Sequence, residues 1–289
     1  MADGDAIPVP GPDCPPFVLL DDARTEAAAA ARLFVRPVEI LVARSAAEVP
    51  ALLSALEAAQ GRGLHAAGYL AYEAGKGLAP AWRGTVDAGA GDAPVGWFGL
   101  FETVERIAAD RVADLLPDPA SAWTGKVAPR VARADYLAAV EAVLDLIRAG
   151  DIYQANLTFR ADVPVLGNPL AVHARLRRTA RAGYGGVIWT GDRAIVSHSP
   201  ELFFALRRGE VMARPMKGTA ARLADAGADA AAARALADDP KQRAENLMIV
   251  DLIRNDLSRV AVPGSVAVPD LYRVESFPTI HQLVSDEIG

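Results

Sequence analysis

A single cysteine, Cys14, stands in 289 residues. It excludes an internal disulfide and fits a reducing, cytoplasmic compartment. Histidine is also scarce, with four residues, and these make no zinc spacing with Cys14. No run of Lys or Arg occurs, and a net charge of −6 with a pI near 5.3 argues against a nucleic-acid surface and for a small-molecule partner. No stretch approaches the ~18 consecutive apolar residues of a membrane span. The first 16 residues, rich in Pro, Asp and Gly, have neither the basic start nor the apolar run of a signal peptide. What the chain does have is apolar residues, 52% of the total against 23% charged, which is enough for a large core in one or two domains.

The order of patterns predicts three parts. Residues 1–16 read as a flexible arm. Residues 17–130 carry strands at Phe17–Leu20, Val38–Ala43, Ala66–Tyr72 and Val95–Phe101, with Gly75–Gly91 as a loop. Ser45 and Glu48 form a capping box ahead of Leu52, Leu53 and Leu56 at helical spacing, and Gly61 ends that helix. Pro117, Pro119 and Pro129 mark the main internal boundary. Residues 131–289 open with a helix capped by Asp135, whose apolar stripe runs from Tyr136 to Ile147 and stops at Gly150. A strand over Ile152–Arg160 and a basic helix around His173–Arg181 are expected next. Short strands at Gly186–Thr190, Ala194–Ser197, Leu202–Leu206 and Glu210–Ala213, joined by tight turns, read as one antiparallel meander. Ala224–Ala237 reads as exposed helix or loop. Segregated helices and strands make the class α+β.

Two constellations carry chemistry. In Arg214-Pro215-Met216-Lys217-Gly218-Thr219, Pro215 lacks an N–H and Gly218 tolerates unusual dihedrals, so Lys217 is held in a loop leaving a strand. A lysine in an apolar pocket loses proton affinity and becomes usable as a nucleophile or base. Asp239 and Pro240 then open a helix with apolar residues on both faces, which predicts burial between layers. Asp251, Arg254 and Asp256 are expected to pair internally. Glu245, with only Lys241 one turn away, is the candidate ligand for a hard cation such as Mg2+.

In order and spacing, Gly150–Leu157, Ser199-Pro200-Glu201, Arg214–Thr219, Ala244–Leu257 and Val274–Ser285 resemble the chorismate-utilising enzymes. Gly68–Glu73 and Trp97–Phe101 are similar to the N-terminal part of the branch that forms aminodeoxychorismate. The resemblance implies two antiparallel sheets packed together with helices outside. Where the water-adding members have a lysine this chain has Gln154, and where the anthranilate branch has alanine it has Lys217. The implied reaction is therefore amination of chorismate at C4. Lys217 would attack C2, Glu201 would protonate the departing hydroxyl, Glu245 would bind Mg2+, and Gly218, Thr219 and His281 would contact substrate. Ammonia would come from solution or from a glutamine amidotransferase subunit, because no glutaminase nucleophile is in view. Family members continue with a Ser-Ile-Thr-Gly-Ala-Pro-Lys stretch, further carboxylate-gripping residues and a second metal-binding glutamate. None of these is among the 289 residues, so an incomplete core with little turnover of its own is expected. Anthranilate formation and a non-catalytic binding module are the alternatives.

Overall fold

The computed structural model describes residues 7–79 and 93–289. Residues 1–6 of the expected arm, and residues 80–91 of the expected loop, lie outside the described residues. Apolar runs rich in Val, Leu and Phe form β1 (Phe17–Asp21), β2 (Ala31–Val35) and β3 (Glu39–Ala43). The Glu48 carboxylate accepts from the Ser45 hydroxyl and the Arg44 N–H and so fixes the start of α1 (Val49–Gly61). Then come β4 (His65–Leu70), β5 (Gly96–Phe101), β6 (Glu105–Ile107), the short α2 (Val112–Leu115), β7 (Trp123–Thr124) and β8 (Ala128–Pro129).

Helix α3 (Arg133–Ala149) ends at Gly150, where φ is +81°. Asp135 lies in its first turn, and Ala132 holds the cap position instead. Ile152–Arg160, expected as a strand, forms none, since an extended run becomes a strand only by finding a neighbour. Strand pairing starts with β9 (Ala161–Asp162) and β10 (Val165–Leu166), which make two-stranded ribbons with β8 and β7. The Asn168 side chain caps α4 (Pro169–Ala180) by accepting from the Leu170 N–H. The remaining elements are β11 (Tyr184–Trp189), β12 (Ala194–Ser199), β13 (Leu202–Arg207), β14 (Glu210–Arg214), β15 (Met216–Ala221), α5 (Ala226–Asp238), α6 (Pro240–Leu257), β16 (Ala267–Ser276) and β17 (Ile280–Ile288).

All strand pairs among the described residues are antiparallel, and the class is α+β. One five-stranded sheet has the order β12-β11-β1-β2-β6. The other runs β13-β14-β17-β15, with β16 also on β17. A three-stranded sheet, β3-β5-β4, packs on the first through Val18, Phe34 and Ile188 against Ala67, Trp97 and Phe101. On the opposite face Phe17, Leu19, Leu33 and Val187 meet Val112 and Leu170. Each such side chain contributes roughly 1.5–3 kcal/mol by leaving water.

Three expectations change here. The boundary near residue 130 does not divide the molecule, because β1 pairs β11 with Phe17 opposite Trp189, and the two halves share one sheet and one core. The expected meander is two hairpins in different sheets, because the chain crosses from the first to the second at Pro200, which has no N–H to continue the ladder. Residues 7–16 are tied down as well. Ile7 is buried in the first sheet's core, and the Trp189 indole donates to the Cys14 carbonyl at 2.9 Å.

Two titratable groups, one partly and one fully buried, give stability opposite responses to pH. His173 of α4, fully buried, lies 3.2 Å from the Asp21 carboxylate, which Arg177 also holds at 2.7 Å. Burial raises the pKa of Asp21, but the hydrogen bonds from His173 and Arg177 outweigh that and hold it below the usual range. His198 of β12 stacks on His173 at 4.8 Å with neither ring nitrogen hydrogen-bonded, and burial followed by its histidine neighbour pushes its pKa down to about 4. Glu287 of β17 is fully buried without a hydrogen-bond partner, and burial pushes it up to about 7.

The signs come from linkage. Neutral His198 is favoured by the fold, so its contribution is lost as pH falls from 6.5 through 4. Protonated Glu287 is favoured, so its contribution is lost as pH rises from 4.5 through 7. Urea midpoints measured across pH should therefore lose their acid limb in His198→Phe and their neutral-side decline in Glu287→Gln. Each change is on the order of 3 kcal/mol at full extent. Unchanged slopes in both variants would remove these assignments.

Candidate active site

Lys217 lies within β15 and not in a loop. Its strand is bulged: Met216 pairs Val284 and Thr219 pairs Gln282, so one extra residue is accommodated between them. Gly218 takes φ +99°, and a Cβ there would come within 3.2 Å of Gln242 on α6 and of Leu283 on β17. Only glycine fits a left-handed position pressed between helix and strand. Lys217 is half-buried, and among the described residues no carboxylate pairs with it.

Asn246, which the sequence does not distinguish from its neighbours, is the residue that seats the helix on this bulge. It is fully buried on α6. Its amide donates to the Leu283 carbonyl at 3.3 Å and, at 3.5 Å, to that of Lys217, while its own oxygen accepts from Ser285 at 2.6 Å. The start of α6 is as the sequence implies, with Asp239 accepting from the Gln242 N–H at 2.9 Å ahead of Pro240. The expected burial of α6 between two layers does not occur, because only one of its faces has a sheet to pack on. Asn246, Val250 and Leu257 face that sheet while Leu247 and Leu252 are exposed, and the Asp251–Arg254 pair at 2.6 Å lies at the surface. Glu245 is half-buried next to Asn246, with Lys241 at 3.6 Å.

Glu201 stands where the chain crosses between the two large sheets. Its N–H donates to the Ser199 hydroxyl at 3.2 Å, and its carboxylate accepts from the Met216 N–H at 3.3 Å. That contact brings an exposed acid against the residue preceding Lys217. The crossing that carries Glu201 and the bulge that carries Lys217 thus meet at Met216.

His281 belongs elsewhere. It is buried, with Nδ1 2.8 Å from the Ser276 hydroxyl and Nε2 3.0 Å from Asp229 of α5. Asp229 is held well below the usual carboxylate range, chiefly by the Arg222 hydrogen bond, then by the Leu223 N–H and by His281. Side chains alternate along a strand, so the next residue, Gln282, faces the other way. Its amide oxygen accepts from the Thr219 hydroxyl at 2.5 Å. Further along that face, Arg214 and Arg273 pair with Asp286 at 2.5 and 3.2 Å.

A family profile described as chorismate binding enzyme matches residues 16–286. The aminodeoxychorismate synthase component 1 of Klebsiella aerogenes is 44% identical over 165 residues, 57% of this chain and 36% of that protein. The protein of the same name from Salmonella typhimurium is 46% identical over 165 residues, again 57% and 36%. The chain thus spans about a third of the length of these relatives. The crystal structure of anthranilate synthase component I from Streptococcus pneumoniae shares the fold, with a TM-score of 0.71 at 23% identity over 92% of this chain and 70% of that one.

Proposed function

This chain belongs to the chorismate-binding enzyme family, and we propose that it acts as the component 1 type of aminodeoxychorismate synthase, converting chorismate and ammonia to 4-amino-4-deoxychorismate on the way to p-aminobenzoate and folate. The observation that carries this reading is Lys217 on the bulged β15, with Glu201 against the residue before it. The names of the similar curated proteins support it.

The chemistry suits those two groups. A neutral Lys217 amine attacks C2 of chorismate, the ring double bonds shift, and the C4–O bond breaks. Hydroxide is a poor leaving group, so Glu201 gives its proton and the hydroxyl departs as water. Ammonia then adds at C4, the double bonds shift back, and the C2–N bond breaks to release the lysine. Gly218 permits the bulge that carries Lys217 close under α6, and the Thr219 hydroxyl, donating to Gln282, lines the same strand. His281, with both ring nitrogens occupied, serves here as a support for β17 and not as a direct contact.

Glu245 would hold Mg2+, which when bound would offset the negative charge of a substrate carboxylate. Among the described residues no group of three His, Cys, Asp or Glu side chains is gathered for a metal. One carboxylate fits an ion that takes its other ligands from substrate and water.

Nitrogen has to arrive as ammonia. Cys14 is held at the first sheet with its thiol on the Pro15 carbonyl, and burial pushes that thiol's pKa up, which disfavours a nucleophilic thiolate. Turnover by the 289-residue chain with chorismate, Mg2+ and an ammonium salt is expected to be slow, and the product seen by mass spectrometry should be 4-amino-4-deoxychorismate. Glutamine should support the reaction only when a glutamine amidotransferase subunit is added. Release of glutamate by the chain alone would overturn the nitrogen assignment, and anthranilate as the product would overturn the branch.

A further inference from the structure

On the strand opposite β15, the polar side chain in register with Thr219 is Gln282 and not the histidine. Thr219 and Gln282 face each other in register on β15 and β17, and the Thr219 hydroxyl donates to Gln282 Oε1 at 2.5 Å. That bond fixes the amide's orientation. Its oxygen is used, and its two N–H groups point away from Thr219. Thr219 is exposed and Gln282 half-exposed, so the amide is open to a ligand. His281, one residue earlier, is buried on the opposite face between Ser276 and Asp229.

We propose that Gln282 is a substrate-binding residue, its Thr219-oriented amide donating to a carboxylate or hydroxyl oxygen of the bound anion. The inference rests on the chorismate reading and adds to it a residue and a kind of contact. An amide donor is neutral at every working pH. The register partner of Thr219 therefore contributes direction without adding a titrating group beside Lys217. A carboxylate at position 282 would reverse that arrangement by removing the donor and adding a like charge.

The test is chorismate retention by the 289-residue chain in equilibrium dialysis with Mg2+, comparing the unaltered protein with Gln282→Glu and Thr219→Val. Gln282→Glu should weaken binding at least about tenfold, because a hydrogen bond to an ionised group is lost. Thr219→Val, which frees the amide to rotate, should weaken it a few-fold. Position 282 is half-exposed, so thermal midpoints should stay within a few degrees of the unaltered chain. Retention by Gln282→Glu equal to that of the unaltered chain overturns this inference and leaves the chorismate reading standing. No retention by the unaltered chain brings down both.

Discussion

Lys217→Ala is expected to lower 4-amino-4-deoxychorismate formation by ~100-fold or more, the scale of losing a group that acts on the reacting atoms. Chorismate binding should change far less, since the contacts proposed for Glu245, Thr219 and Gln282 do not involve the lysine. Lys217→Arg should do no better than Ala, because a guanidinium stays protonated and cannot attack carbon. A lysine that only supplied positive charge would give a different pattern, with Arg keeping much of the rate. Mass spectrometry of the chain after incubation with chorismate and no ammonia adds a direct reading, since a covalent adduct should appear on the unaltered protein and vanish in Lys217→Ala. Substantial turnover in Lys217→Arg, with no adduct on the unaltered chain, would return Lys217 to a charge-stabilising role.

Asn246→Leu is expected to cost about 3 kcal/mol of stability, because it strands the Ser285 hydroxyl and the Leu283 carbonyl in a dry interior. The urea midpoint reports the loss. Activity should fall further than stability alone explains, since Asn246 is also bonded to the Lys217 carbonyl and fixes the bulge against the helix. A variant as stable as the unaltered chain would mean that water replaces the amide at no cost.

How far can these features be read from residues alone? Local signals are legible wherever the cause is local. Asp239-Pro240 opens α6, Gly150 closes α3, and the strand hairpins occur where the turn residues place them. The lysine is legible as a special position because Pro215 and Gly218 are unusual neighbours, although a bulge inside a paired strand is not distinguishable from a loop without the partner strand. Pairing between distant segments leaves no local trace, and this is why a boundary near residue 130 and a single meander are expected from the sequence and absent from the fold. Asn246 gives no signal, because an Asn on a polar helix acquires its meaning only from the carbonyls it meets. His281 and Gln282 show the sharpest limit. In a strand one position decides which face a side chain takes. Residue type draws attention to the imidazole, while geometry turns it to Asp229 and turns the amide to Thr219.

The pairing of β1 with β11 also bears on how the chain is made. Phe17 is synthesised long before Trp189, the residue it lies opposite. The N-terminal hairpin of β1 and β2 therefore emerges from the ribosome with an unpaired edge and an uncovered apolar face, and it keeps both until α4 and β11 have been translated. Closing so large a loop makes this an intrinsically slow step of folding. A nascent chain halted anywhere between α1 and α4 should be open to proteolysis and to chaperone capture. Resistance should arrive abruptly once β11 and β12 clear the exit tunnel, because those two strands supply the missing edge together.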